Sequence, residues 1–245
     1  MKPAEDGSVA TLEQEPTPNQ ESQLATQPDR TVSTYVEGED IDGEITSRDV
    51  KYSRINVVQK VGELSDNPDF SPGAIILGKE VVIAKPNGVL TLIALKAQKS
   101  YQEQLPFGCG VTPRLFKTAE EVRIAGLSLE WGAPARAAEI LNVLFWIPQP
   151  AGIDAPHLFS MEGPEGPGTI AGFTAARTAY GTVGKALIGA SKTFLTAEKG
   201  GLRSTAWEMY CTLEKRESNS WYLPRIRPAA RTSVELSAYL ATLLS

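Results

Sequence analysis

The stretch 205–227 combines aromatic side chains, cations and a turn within twenty-three residues. Apolar residues from Trp207 to Leu213 alternate with polar ones, which predicts a strand with one buried face. The polar run 214–220 is typical of a turn, and a second strand follows in which Pro224, lacking an N–H, suits a sheet edge. Aromatic rings stack on nucleobases and arginines pair with phosphates, so this hairpin has the chemistry of a nucleic-acid-binding surface. The alternative is that Trp207 and Trp221 form a cross-strand core pair while the arginines only add solubility.

Cations and aromatic residues are also interleaved along the rest of the chain. A groove that holds both can bind a single strand, because cations follow the phosphates and each stacked base contributes about 1–3 kcal/mol without reading the sequence. The candidate nucleic-acid-binding residues are Arg54, Lys60, Lys96, Lys99, Tyr101, Tyr210, Lys215, Arg216, Trp221, Tyr222, Arg225 and Arg227.

Residues that would support catalysis or metal binding are sparse. His157 is the single histidine, so we expect a structural role rather than a catalytic triad or a multi-histidine metal site. The run 181–186 is similar to a phosphate-binding loop, but Ala179 stands where that motif needs glycine and Ala186 where it needs a hydroxyl. After position 50 the one close pair of carboxylates, 120–121, is assigned to a helix start. We therefore predict no enzymatic activity, no metal and no cofactor.

Charge is divided unevenly along the chain. Residues 1–50 carry twelve acidic and three basic side chains, a net charge of −9, whereas the remainder carries 21 basic and 17 acidic side chains, a net charge of +4. The segment 1–49 has hardly any large apolar residue and is predicted to be a disordered acidic tail, and 50–245 is predicted to be a single folded, β-rich domain. The tail could compete for a basic groove, recruit replication or recombination proteins, or serve solubility alone.

The sequence also predicts the compartment of the protein. Cys109 and Cys211 are too few for a disulfide framework and lack the spacing of a metal knuckle, so we expect both to be reduced and buried. No apolar run approaches the roughly 18 residues that a membrane span needs, and the N-terminus has no apolar signal segment. These features predict a cytoplasmic protein without a membrane partner.

Short β-branched segments separated by turn residues dominate the middle of the chain. Strands are predicted at 53–61, 74–77, 80–84, 89–104 and 138–147, a loop at 149–168, and helices at Thr169–Glu198 and Ser233–Leu244. Thr118 and Glu121 match a capping box, and Gly126 can end the short helix that they begin. The expected fold class is mainly β with α, either an OB-like barrel or a small β-sandwich, with one long helix and a C-terminal helix.

Several short motifs resemble a family of tailed-phage proteins. They are Arg54-Ile55-Asn56-Val57-Val58-Gln59, Ser71-Pro72-Gly73, Trp207-Glu208-Met209-Tyr210 and Asn219-Ser220-Trp221-Tyr222-Leu223-Pro224. The resemblance covers residues 53–227 and implies a phage or prophage origin, and a role as a single-stranded DNA-binding protein of replication or recombination in the host cytoplasm. Phage proteins with that role commonly use an OB-type barrel with an acidic tail at the C-terminus, whereas the acidic segment of this chain is N-terminal.

The leading hypothesis is a sequence-independent single-stranded DNA-binding protein, with RNA binding and homo-oligomerisation left open. The alternative is a virus structural or protein-interaction protein, in which the aromatic hairpin and the predicted long helix make subunit contacts. A nuclease or recombination enzyme is a weaker third hypothesis, because it would need clustered carboxylates that the sequence does not show.

Overall fold

The computed structural model describes residues 52–106, 109–195 and 200–243, which belong to one compact unit. The predicted acidic tail, 1–49, lies outside the described residues. The strands are β1 Ser53–Val57, β2 Ile75–Leu77, β3 Val81–Ala84, β4 Val89–Glu103, β5 Leu115–Phe116, β6 Ala137–Pro148, β7 Met161–Gly163, β8 Gly166–Ala176, β9 Thr205–Arg216 and β10 Asn219–Arg231. The helices are α1 Ala119–Ile124, α2 Lys185–Thr193, which continues a π-helical turn at Tyr180–Gly184, and α3 Val234–Thr242.

A single strongly curled sheet forms a half-barrel, and the chain is mainly β with few helices. The strand order is β10-β9-β4-β6-β8-β1-β2-β3, with β5 added to β4 and β7 to β8. Every pairing is antiparallel except that of β1 with β8. The predicted fold class, mainly β with an OB-like curled sheet and a C-terminal helix, is confirmed, as is the hairpin at 205–227 with Pro224 on an edge strand.

The inner face of the curl carries the main apolar core. Leu92 of β4 and Trp207 of β9 are neighbours in the register and both are almost fully buried, beneath Leu187 of α2. Each such side chain stabilises the fold by about 1.5–3 kcal/mol through removal from water. The register pairs Trp207 with Pro228 and Trp221 with Glu214, so the two tryptophans are not a cross-strand pair.

The outer face is covered at one end by α3. Leu236 and Leu240 of this helix pack on Trp146 of β6, beside Ile93 of β4. The helix begins where the Ser233 hydroxyl accepts a hydrogen bond from the Leu236 N–H, an N-cap that satisfies a donor left free by the first turn. The predicted C-terminal helix is confirmed.

The long helix predicted for Thr169–Glu198 is wrong in its first third. Residues up to Ala176 form β8, and helical structure begins only at Thr178. The apolar residues that were expected on one side of a single helix therefore belong to two elements. Phe173 faces the core from a strand, whereas Val183 and Leu187 face it from helical turns. Small residues fill this segment, and glycine and alanine carry too little hydrophobic contrast to separate a period of 2 from one of 3.6.

Two other predictions differ in extent from the structure. The strand predicted at 53–61 ends at Val57, although the backbone of Val58 still forms hydrogen bonds with Gly73 and Ala74. The loop predicted at 149–168 contains β7 and the start of β8, joined by a tight turn.

The capping box is confirmed, since the Thr118 hydroxyl accepts a hydrogen bond from the Glu121 N–H. No helix within the described residues is both long and apolar enough to cross a membrane.

A side-chain bridge joins the segment that follows β1 to β10, an edge strand of the curled sheet. β1 pairs with β8 only at Ser53 and Arg54 and then diverges from it. Just beyond β1, the Gln59 side chain donates to the Tyr222 carbonyl and accepts from the Tyr222 N–H, both at 2.9 Å, as a neighbouring strand would. Gly73 lets a loop approach the same tyrosine, because a Cβ there would lie 2.6 Å from Tyr222 Cε1. We call this junction of β1 with β10 the seam.

Replacing Gln59 by leucine is expected to destabilise the protein by about 1–3 kcal/mol, because both polar backbone groups of Tyr222 lose their partner in a half-buried place. Urea unfolding monitored by circular dichroism measures the change in free energy. Gln98→Leu, at an exposed position of β4, is the matched control and should be nearly neutral. Equal unfolding free energies for the two variants would show that the seam is not held by Gln59.

Candidate nucleic-acid interface

A cleft of about 440 Å³ opens along the seam, where β1 has left β8 and has not yet reached β10. Asn56, Thr174 and Trp221 line three of its sides, and Arg54 and Arg177 also border it. None of the described residues that line the cleft is acidic. We call it the seam cleft.

The two arginines of the seam cleft are not neutralised. Both are exposed, and among the described residues neither has a carboxylate within ion-pairing distance. Arg177 directly follows β8 and has a φ of 53°, in the left-handed region that residues other than glycine seldom occupy. This conformation turns the chain into the helical segment and leaves Arg177 at the mouth of the cleft. Unpaired guanidinium groups beside a cavity favour an anionic ligand.

Trp221 supplies the aromatic surface of the seam cleft. It is half-buried on β10, and its Nε1–H is buried without a hydrogen-bond acceptor. Trp207 in the core has the same deficit, so the unpartnered donor matters at Trp221 because that ring borders a cavity. A small rotation of the indole toward a ligand oxygen would relieve the cost of about 1–3 kcal/mol that a buried, unpaired donor carries.

Three further candidate cations lie at one end of the seam, around the hairpin turn. Lys60 directly follows Gln59, and its Nζ donates to the Ser220 hydroxyl at 2.8 Å. The register of the hairpin places Lys215 opposite Ser220 and Arg216 opposite Asn219. All three cations are exposed. Glu217 lies in the same turn, so these three cations and this acidic residue carry a net charge of +2.

Arg225 and Arg227, two candidate arginines on the outer face of the hairpin, are each paired with a carboxylate. Arg225 donates to Glu214 at 2.8 Å, and the hydrogen bonds from Arg225 and Thr212 lower the pKa of the Glu214 carboxyl, so this pair stays ionised. Arg227 pairs with Glu208 at 2.6 Å and lies 5.4 Å from the ring centroid of Tyr210. A phosphate would have to displace a carboxylate to reach either arginine.

Lys96, Lys99 and Tyr101 do not join the seam cleft. The register pairs Lys96 with Leu144 on the outer face and Lys99 with Leu141 on the inner face, so the two lysines point to opposite sides of the sheet. Lys99 forms an ion pair with Glu139, whose hydrogen bond raises the pKa of the lysine, and it lies 5.5 Å from the ring centroid of Tyr101.

The twelve candidate residues therefore do not form one surface. Arg54, Trp221 and Tyr222 line the seam cleft, while Lys60, Lys215 and Arg216 extend it at one end. Arg177 completes the cleft and was missed by the sequence analysis, because it falls inside the helix predicted there. It is the only cation between Arg136 and Lys185, a signal that could have singled it out.

The remaining chemistry-bearing residues offer little for catalysis. His157 lies exposed with Nε2 3.3 Å from a Glu80 carboxylate oxygen, a surface contact. Burial raises the pKa of the Cys211 thiol to about 12, which keeps it protonated, but Cys109 is exposed and its predicted burial is wrong. In the described ranges, no three His, Cys, Asp or Glu residues are placed to hold a metal ion.

Comparison with protein-family models, curated proteins and solved structures found no match for this chain. The geometry of the seam cleft is therefore the basis for the functional proposal.

Proposed function

We propose that this chain binds single-stranded DNA without reading its sequence, through the seam cleft. The observation that carries the proposal is a cleft whose described lining contains no acidic residue and is bordered by one tryptophan and by two arginines that have no carboxylate partner within the described part of the chain. Arginines placed in this way pair with phosphates, and the indole offers a face on which any base can stack. The resemblance to phage proteins is consistent with this activity, since replication and recombination both expose single strands.

The dimensions of the cleft favour a single strand over a duplex. A volume of about 440 Å³ is within the range of small-molecule sites and accommodates a nucleotide rather than a double helix. In a duplex the base faces are stacked on each other and cannot reach Trp221. A single strand offers free bases, so we expect a preference for it over a duplex of matched sequence.

Tryptophan fluorescence during titration with oligo-dT and with a matched duplex, at low and at moderate salt, tests the proposal. Trp146 and Trp207 are each 1% exposed, so Trp131 and Trp221 are the reporters. We expect quenching by the single strand, weakened as salt rises because counterions compete for the arginines. Equal responses to strand and duplex, or no response to either, would contradict the proposal. An oligo-U titration determines whether RNA is also bound.

A protein-interaction role is the second candidate function. Five exposed apolar residues fall within one short stretch of the chain: Val111, Leu115, Ile124, Leu129 and Trp131. Clustered apolar exposure is a property of protein-binding surfaces. Light scattering over a range of protein concentrations tests for self-association through this patch, which salt should not weaken.

A further inference from the structure

Trp131 stands at the tip of an ordered loop, with 89% of its surface exposed. The loop is closed at its base, where the Ser128 N–H donates to the Ala135 carbonyl at 3.0 Å and the Ala137 N–H donates to the Ser128 carbonyl at 2.9 Å. The Ser128 hydroxyl also accepts from the Glu130 N–H. The ring is therefore held out into solvent by a hydrogen-bonded scaffold. A large aromatic side chain displayed in this way is typical of a binding site.

Arg136 covers one face of this tryptophan. Its guanidinium carbon lies 4.0 Å from the ring centroid, in a cation–π contact. The exposure of the ring shows that its opposite face is open to solvent. Among the described residues no carboxylate pairs with Arg136, so its charge also remains available. The pair thus combines a free aromatic face with a cation, the two groups that bind a nucleotide by stacking and phosphate contact.

The Trp131–Arg136 pair borders a second cavity, of about 1030 Å³, that adjoins the seam cleft. Arg177 and Thr178 line both cavities. The only acidic residue that lines the second cavity is Glu139, which is paired with Lys99. A strand lying in the seam cleft can therefore continue past Arg177 toward Trp131, and no described residue that lines either cavity is an unpaired carboxylate.

We propose that Trp131 and Arg136 form a second base-stacking site for the strand that occupies the seam cleft, with Arg177 binding a phosphate between the two sites. This inference rests on the proposed function and adds a second region in which the protein contacts the bound strand. Together the two cavities provide a site for at least about four nucleotides, which is the lower end of the range for OB-type domains. Short oligonucleotides fill one site, and longer ones engage both.

The test is a series of oligo-dT lengths, from about 2 to about 16 nucleotides, measured by anisotropy of a labelled strand. The proteins are the wild type, Trp131→Ala, Trp131→Tyr and Ile124→Ala. We expect Trp131→Ala to weaken binding of the longer strands by about tenfold and to leave the shortest unchanged. Trp131→Tyr, which keeps an aromatic face, should restore most of the loss. Ile124→Ala, which removes an exposed apolar side chain that lines neither cavity, is the control and should bind as the wild type does.

The outcomes separate the two proposals. If the wild type binds no oligonucleotide of any length, the proposed function itself fails. If the wild type binds with a preference for single strands and Trp131→Ala matches it at every length, only the second stacking site is overturned. An equal loss in Ile124→Ala would also overturn it, because a general effect of losing an exposed apolar side chain, rather than stacking on the indole, would then explain the change.

Discussion

Replacing Gly168 by alanine is expected to destabilise the protein by about 3 kcal/mol or more. Gly168 lies in β8 beneath the indole of Trp146, and a Cβ there would lie 2.6 Å from Cε2 and 2.7 Å from Cη2 of that ring. These distances are far below van der Waals contact, so the indole must move. Overpacking of this kind typically costs about 1–3 kcal/mol, and here a further loss follows from the surroundings of the ring.

The surroundings of Trp146 explain why the cost should exceed that of a simple clash. The ring is 1% exposed and meets Tyr239 of α3 edge-on, with centroids 5.7 Å apart and planes at 77°. Aromatic pairs in this geometry contribute about 0.5–1.5 kcal/mol beyond their buried area. Leu236 and Leu240 rest on the same cluster. A displaced indole therefore loosens the contact of the C-terminal helix with the sheet.

Calorimetry of Gly168→Ala should show a midpoint about 6–12 °C below that of the wild type. The control is Gly189→Ala on the exposed side of α2, where a Cβ meets no atom within 4 Å and alanine should stabilise the helix by about 0.5–1 kcal/mol. A double-mutant cycle with Trp146→Phe adds a second check. The smaller ring makes room for the methyl group, so the two changes together should cost less than their sum. Strict additivity would contradict the proposed clash.

Gly168 also shows where local sequence signals mislead. The segment around it contains several glycine and proline residues, which are typical of loops, and 149–168 was predicted to be one. In the fold, glycine is needed within the strand because an aromatic ring from the neighbouring strand covers its Cα. That requirement depends on how β6 and β8 pair, and no local pattern contains it. By contrast β4, β6 and the β9–β10 hairpin could be predicted, since strong alternation or a long apolar run survives in the sequence.

The candidate site could be predicted in residue type but only partly in arrangement. Arg54 and Trp221 were identified from chemistry alone, yet their proximity depends on the seam, which joins residues more than 160 positions apart. The ion pairs that neutralise Arg225 and Arg227 form within the hairpin and depend on its register. The separation of Lys96 from Lys99 was predictable, because residues three apart in a strand face opposite sides.

Binding of a single strand should depend on the unpaired arginines and not on the paired ones. We expect Arg54→Ala combined with Arg177→Ala to weaken oligo-dT binding by roughly tenfold or more, because each guanidinium contributes a charged hydrogen bond to a phosphate. The same double variant should flatten the dependence of log K on log salt by about 1.4, the change expected when two phosphate contacts to a single strand are lost.

The matched control is Arg225→Ala combined with Arg227→Ala, which removes the same two charges from the protein. These arginines are already held by Glu214 and Glu208, so the change should alter affinity far less and leave the salt slope nearly unchanged. Anisotropy titrations at several salt concentrations measure both quantities for both variants. A greater loss in the control would move the binding surface to the outer face of the hairpin. Equal losses in the two variants would mean that only net charge matters, and that the seam cleft has no particular role.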